Sequence, residues 1–265
     1  MNTITHPPLS LFRFICCCTI AWLCNIGPAS ADISDTIQRI KPSIVAVGSF
    51  NRTASPQFNF RGTGFAVGNG RIIATNAHVV PEMLDQQAGT TVLAIQYRNA
   101  AGELAIRPAT LLAKTPEHDL ALLSIEGDAL PTLELRNSDT VREGESIAFS
   151  GFPIGGALGY STVTHRGVIS AITPIALPGA NSQQLKEKLV RRLRSGPFDV
   201  FQLDATCYPG NSGSPVFDPE SGAVVGIINM VFIKGTREAA LSQPSGISYA
   251  LPANLLHELL RMSGK

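Results

Sequence analysis

The residues able to do chemistry gather in three short segments. One is Cys207-Tyr208-Pro209-Gly210-Asn211-Ser212-Gly213-Ser214-Pro215, where glycines flank a serine in a tight loop. Glycine there lets backbone N–H groups turn inward beside the hydroxyl, so Gly210 and Ser212 are candidate donors to a developing oxyanion. Pro209 fixes φ just ahead of them. Many Gly-Asn-Ser stretches are only turns, so the loop needs a base beside it to mean more. Downstream of residue 31 there are four histidines: His78, His118, His165 and His257. His78 stands out because a strand-like run ends at it among small residues, Ala74-Thr75-Asn76-Ala77-His78. An acid follows in His118-Asp119-Leu120-Ala121-Leu122-Leu123. An aspartate that leads straight into a buried apolar strand needs a compensating donor, and a histidine N–H is a good one.

These groups must be positioned by the elements around them. Strand-like runs recur at Ser43–Phe50, Gly64–Val67, Arg71–Thr75, Thr91–Tyr97, Leu104–Lys114 and Asp119–Ile125. After a polar crossing, Arg136 to Glu145, further runs follow at Ser146–Ser150, Ser161–Ile172, Val200–Leu203, Ser214–Phe217, Ala223–Phe232 and Ile247–Leu251. Gly68-Asn69-Gly70 is a hairpin signal. Many short strands without alternating helices point to barrels or a sandwich rather than a parallel α/β sheet. A short helix is expected over Ile33–Lys41, and a closing one over Pro252–Met262, with Leu255, Leu256, Leu259 and Leu260 at helical spacing. Asn181 to Arg194 reads as a basic amphipathic helix, either a solvated flap on the core or a contact for a partner.

Composition limits the rest. The chain has 265 residues, 44% hydrophobic and 15% charged, enough for one large or two small cores. Formal net charge is +1, which offers no global field for nucleic acid or an anionic membrane. The N-terminus reads as a signal peptide, residues 1–31. Arg13 precedes the apolar run Phe14 to Ile26, and Pro28-Ala29-Ser30-Ala31 supplies the small residues of a cleavage site, placing cleavage after Ala31. That run is short for a bilayer span, so no integral membrane segment is expected after cleavage. Removal takes Cys16, Cys17, Cys18 and Cys24 and leaves Cys207 alone, without an internal disulfide. No metal or cofactor is expected.

Together Thr75-Asn76-Ala77-His78, His118-Asp119-Leu120-Ala121-Leu122 and Gly210-Asn211-Ser212-Gly213-Ser214-Pro215 resemble the three motifs of the chymotrypsin-like serine proteases, and most closely the bacterial HtrA (Deg) branch. Gly62-Thr63-Gly64-Phe65, Gly151-Phe152-Pro153, Gly167-Val168-Ile169-Ser170, Gln202-Leu203-Asp204-Ala205 and Gly226-Ile227-Ile228-Asn229 resemble further landmarks of that family. The resemblance implies an all-β fold of two six-stranded antiparallel β-barrels with a C-terminal helix and a short helical insertion. Residues 32–138 would form a barrel carrying His78 and Asp119, and residues 139–265 a barrel carrying Ser212. It implies that Ser212 is the nucleophile, His78 the general base and Asp119 its orienting acid, with Gly210 and Ser212 as the oxyanion hole. Asn229 falls near the acid. Thr206, Cys207, Met230 and Val231 fall at the specificity pocket, uncharged and suited to small or medium aliphatic side chains.

The expectation is an exported endopeptidase, periplasmic or secreted, acting on unfolded or exposed polypeptide segments. The alternative is a protease-fold peptide-binding module with little catalysis. A membrane-surface role for the basic helix fits poorly with 20 basic against 20 acidic residues once Arg13 is removed. Three departures from the family pattern stand out. Ser214 replaces the usual glycine two residues after the nucleophile, the Asn181–Gly196 insertion is long, and the sequence ends at its terminal helix where the HtrA branch typically continues into a PDZ domain. The oligomeric state is left open.

Overall fold

Runs such as Ile44-Val45-Ala46-Val47 and Leu120-Ala121-Leu122-Leu123 are apolar at every position, because both faces of these strands are buried. Val45, Val47, Ile73, Leu93, Ile95, Ala121 and Leu123 form one core cluster. Their alternate neighbours Ile44, Ala46, Ala74, Leu120 and Leu122 join a second cluster with Ala148, Phe152, Phe217 and Ile227 from the other half of the chain. The period-two alternation of a strand therefore sends one face into a barrel and the other into the seam between halves.

A computed structural model of the chain describes residues 32–81, 91–155, 159–174, 198–229 and 246–264. Helix α1 (Ile33–Ile40) is followed by β1 (Ile44–Asn51), β2 (Phe58–Val67), β3 (Ile72–Asn76), β4 (Thr91–Arg98), β5 (Leu104–Thr115) and β6 (Leu120–Ile125). These six strands close in the order β1-β2-β3-β6-β5-β4. Strands β7 (Ser146–Gly151), β8 (Val163–Pro174), β9 (Asp199–Asp204), β10 (Pro215–Phe217), β11 (Val224–Ile228) and β12 (Ile247–Pro252) close as β10-β11-β12-β9-β8-β7, and helix α2 (Ala253–Met262) ends the chain. Pairing between strands is antiparallel within both barrels. The fold is the expected one of two six-stranded antiparallel barrels.

Two strands depart from the sequence reading. β2 begins at Phe58, six residues before Gly64, because Phe58, Asn59 and Phe60 pair with Phe50, Ser49 and Gly48 beyond a bulge at Arg61 in β2 itself. β11 stops at Ile228, and Asn229 lies outside it. The proposed leader (1–31), the basic segment Asn181–Arg194, Met230 and Val231 lie outside the described residues.

The barrels are tied from outside. In α1, Asp32 caps the helix by accepting from Ser34 N–H at 3.1 Å. The helix then reaches the second barrel, where Thr36 Oγ1 donates to Glu220 O (3.1 Å) and Arg39 Nη2 to Ser221 O (2.6 Å). The linking segment is bonded to both barrels: Leu133 N–H donates to Ala66 O at 3.0 Å and Arg136 N–H to Val224 O at 2.8 Å. In α2, Leu256, Leu259 and Leu260 are buried in the seam cluster.

Candidate active site

His78 sits in a single 3₁₀ turn, Ala77–Val79, directly after β3. Asp119 immediately precedes β6, the neighbour of β3 in the sheet, so the register brings Asn76 opposite Leu120 and the two side chains together. Asp119 adopts φ 54, a left-handed conformation uncommon outside glycine. The surrounding bonds hold it there: Ala77 N–H donates to Asp119 O at 2.9 Å and Asn76 Nδ2 to the same oxygen at 3.2 Å. This kink turns the carboxylate back onto His78. Oδ1 accepts from the His78 backbone N–H at 2.9 Å and Oδ2 from the ring Nδ1 at 2.7 Å. Because a carboxylate accepts, Nδ1 carries the proton, leaving Nε2 as the lone-pair nitrogen of the neutral ring.

Oδ2 of Asp119 also receives Asn229 Nδ2, at 2.9 Å, from the end of β11 in the second barrel. The Asp119 side chain is 9% exposed and that of His78 is 34% exposed. A buried acid with three N–H donors beside a half-open imidazole is compensated and oriented at once.

Ser212 lies across the seam and is 6% exposed. Gly213 N–H donates to Ile228 O at 3.0 Å, seating the serine loop on the strand end that also supplies Asn229. On the other side, Thr63 N–H donates to Ser212 O at 2.8 Å. Gly62, the preceding residue, is where the two segments meet: a methyl group there would come within 2.6 Å of Val79 Cγ2 and 3.0 Å of Ser212 O. The turn carrying His78 and the loop carrying Ser212 thus both close on the space beside one glycine.

The loop's hydrogen bonds divide its amides into two sets. Asn211 N–H donates to Tyr208 O (3.0 Å), Gly213 N–H to Ile228 O (3.0 Å) and Ser214 N–H to Asn211 O (2.9 Å). The N–H groups of Gly210 and Ser212, the two candidate oxyanion donors, have no acceptor among the described residues. Gly210 holds φ +105 and Gly213 φ +87, conformations that L side chains rarely adopt. Ile154 N–H donates to Pro209 O at 2.8 Å. Since C=O and N–H point oppositely in a trans peptide, this turns the Gly210 N–H away from Ile154.

Around the candidate specificity pocket, Thr206 is half-buried. Cys207 is buried in the second barrel's core with Val141, Ile147 and Phe149. Burial pushes its thiol up to about 12, so it stays neutral and behaves as a small apolar group. Asp204 is exposed at the end of β9. The Asn229 amide donates to Asp119 Oδ2, and its backbone N–H donates to Tyr249 O at 2.9 Å. His165, one of the four histidines considered as a base, takes a structural place instead. It lies on β8, stacked on Phe149 (4.9 Å between centroids, 18° between planes) and 6.0 Å from the ring of Tyr208, just ahead of the serine loop. Thr63, Ile154 and Phe60, which hold that loop, were passed over as individuals. Only the surrounding motifs Gly62-Thr63-Gly64 and Gly151-Phe152-Pro153 marked the region.

Two antiparallel barrels, the first with a hydrogen-bonded His–Asp pair and the second with a glycine-flanked serine loop held against β2, define the chymotrypsin-like class. Comparison with known proteins agrees. The trypsin-like peptidase domain family matches residues 62–227. A protein of Marinomonas sp. (strain MWYL1) named "Probable periplasmic serine endoprotease DegP-like" is 28% identical over 87% of this chain and 41% of its own length. One of the same name from Pseudomonas fulva (strain 12-X) is 31% identical over 77% of this chain and 35% of its own. The chain therefore spans less than half the length of these curated relatives. Among solved structures, the HtrA-type protease AlgW with a tripeptide superposes at TM-score 0.59 with 26% identity, over 86% of this chain and 62% of that one. Deg5 superposes at TM-score 0.60 with 23% identity, over 85% and 90% of the two chains, a likeness of fold. The chain belongs to the trypsin-like peptidase family.

Proposed function

We propose that the chain is an exported serine endopeptidase that hydrolyses peptide bonds through an acyl-enzyme on Ser212. The observation that carries this reading is the His78 Nδ1 to Asp119 Oδ2 bond of 2.7 Å, made beside a serine loop that keeps the Gly210 and Ser212 amides unengaged among the described residues. Ser212 Oγ attacks the carbonyl carbon while His78 Nε2 takes the hydroxyl proton. The oxyanion is held by the N–H groups of Gly210 and Ser212. His78 returns the proton to the departing amine, and water attacks the ester by the same route in reverse. Asp119 keeps the ring in the tautomer with Nε2 free and stabilises the imidazolium.

Thr206, Cys207, Met230 and Val231 carry no charge, and the neutral Cys207 thiol presents no ion to a substrate. A small or medium aliphatic side chain before the cleaved bond fits that lining. Substrates are unfolded or exposed polypeptide segments. The leader-like residues 1–31 and the word "periplasmic" in the relatives' names support export to the periplasm, with Asp32 as the first mature residue.

A fluorescent phosphonate directed at serine tests the reading together with casein digestion. Wild type labels and digests casein; Ser212→Ala does neither, and His78→Ala loses activity by roughly 10⁴-fold or more. A folded wild-type protein that neither labels nor cleaves is the result that favours the peptide-binding module instead.

A further inference from the structure

We infer that Thr63 is a positioning residue for the oxyanion-binding amides: a buried hydroxyl from the first barrel that holds the nucleophile loop of the second barrel in its donating conformation. The inference rests on the reading of Ser212 and Gly210 given above. Thr63 is fully buried in β2, and each of its polar atoms is engaged. Its N–H donates to Ser212 O at 2.8 Å, and its Oγ1 donates to Gly210 O, also at 2.8 Å. The same Oγ1 accepts Phe152 N–H at 3.1 Å, and its carbonyl accepts Thr75 Oγ1 at 2.7 Å. One residue therefore grips the carbonyls on both sides of Asn211 and ties them to the residue that follows β7.

Peptide planarity explains why this matters for catalysis. Holding a carbonyl fixes the plane it shares with the next N–H. Ile154 fixes the plane that contains Gly210 N–H, through Pro209 O. Thr63 Oγ1 fixes the following plane, through Gly210 O. Gly210, at φ +105, is the joint between the two. Asn211 N–H holds the other edge of that second plane through Tyr208 O at 3.0 Å, so the hydroxyl is the second bond that keeps the plane from swinging about the glycine joint, which accepts both signs of φ. With Thr63 in place both planes are set, and the Gly210 N–H is aimed before substrate arrives. The strand does not need a hydroxyl for its own sake: valine has the same shape and favours strands at least as well. The backbone bond to Ser212 O needs no side chain. The hydroxyl is the part that only the nucleophile loop and Phe152 use.

The test compares Thr63→Val, which keeps the shape and the backbone N–H, with Thr63→Ser, which keeps the donor. Steady-state cleavage of one peptide is measured beside binding of a peptidyl trifluoromethyl ketone, whose serine adduct bears an oxyanion, and of the matching peptidyl alcohol, which bears none. Losing a whole oxyanion donor costs about 10²–10³-fold in kcat, and a misaimed one costs less. Thr63→Val is expected to lose about 10- to 100-fold in kcat, with KM within about twofold. Its ketone affinity should fall in parallel and its alcohol affinity should hold. Thr63→Ser should stay within about threefold of wild type throughout. A Thr63→Val enzyme with unchanged kcat and ketone affinity overturns the inference, as does one that loses ketone and alcohol binding equally. If Thr63→Val does not fold, Thr63→Cys, whose thiol is a weak donor, is read by the same criteria. A wild-type protein without activity defeats the functional reading and this inference together; an active wild type indifferent to the hydroxyl defeats this inference alone.

Discussion

Asn229 donates its amide to Asp119 Oδ2 at 2.9 Å, the same carboxylate oxygen that takes His78 Nδ1 at 2.7 Å. The bond joins the end of β11 in the second barrel to the residue ahead of β6 in the first. The seam between barrels thus runs through the group that orients the imidazole. A shift of one barrel against the other would be felt at Asp119 before it reached either reacting atom.

That arrangement makes Asn229 a sensitive position. Hydrogen bonds to charged groups contribute about 1.5–3 kcal/mol. Asn229→Ala is therefore expected to lower kcat/KM on the order of 10-fold, with the loss in kcat. Asn229→Asp sets a second carboxylate against the first and should lose more, with partial recovery as pH falls and one of the two protonates. Peptide hydrolysis between pH 5 and 9 checks both variants. Full activity in Asn229→Ala would mean that backbone bonds to Asp119 already fix the acid.

The candidate catalytic side chains were easier to read than the residues that hold them. His78, Asp119 and Ser212 carry signatures in their immediate neighbours: a strand end, an acid before an apolar run, a glycine-flanked loop. The barrels were legible because strands buried on both faces leave unbroken apolar runs such as Leu120–Leu123. Single-sequence reasoning left a sandwich open, since closure depends on β1 meeting β4 and β7 meeting β10, pairings that no local pattern encodes. The first half of β2 was missed because Asn59 and Arg61 interrupt its apolar character, and a bulge at Arg61 breaks its register with β1. Thr63 could not be singled out for a like reason. Its contacts with Gly210 and Ser212 are 147 and 149 positions away in the chain, and a threonine in a strand is unremarkable on its own.

Gly210 is expected to tolerate no side chain. At φ +105, a Cβ would collide with Phe152 O and come within 3.0 Å of the Phe60 ring. Phe60 cannot yield easily, because it packs edge-on against both Phe152 (6.4 Å) and Tyr160 (5.9 Å). The loop must give instead, and the Gly210 N–H turns from its bearing. Gly210→Ala should lose at least about 100-fold in kcat while the rest of the fold stays cooperative, since removing one oxyanion donor costs about 2.7–4 kcal/mol of barrier. Near-wild-type turnover in that variant would show that the Gly210 amide takes no part in the reaction.

Acid should weaken the folded state over two successive pH ranges, and His165 sets the first. Its Nε2 is buried without a partner among the described residues, and burial against Phe149 lowers its pKa. The folded protein therefore binds this proton less readily than the unfolded chain does. The related stability is complete above the ordinary imidazole value near pH 6.5, and it drains away as pH falls from there through the lower folded value. Glu145 sets the second range. Partial burial opposes its charge, but the hydrogen bond and charge of Arg136, 3.0 Å away, outweigh that, with help from Arg142, and hold the carboxyl below its usual value. This contribution is present above the ordinary carboxylate range, near pH 4.3, and is lost as pH falls through the folded value. His165→Leu removes the orphaned nitrogen and keeps an apolar neighbour for Phe149, so the urea midpoint should rise more at pH 5 than at pH 8. Glu145→Gln should leave the loss over that upper range intact and flatten only the lower one. Equal gains for His165→Leu at both pH values would show that packing, not the proton, governs that site.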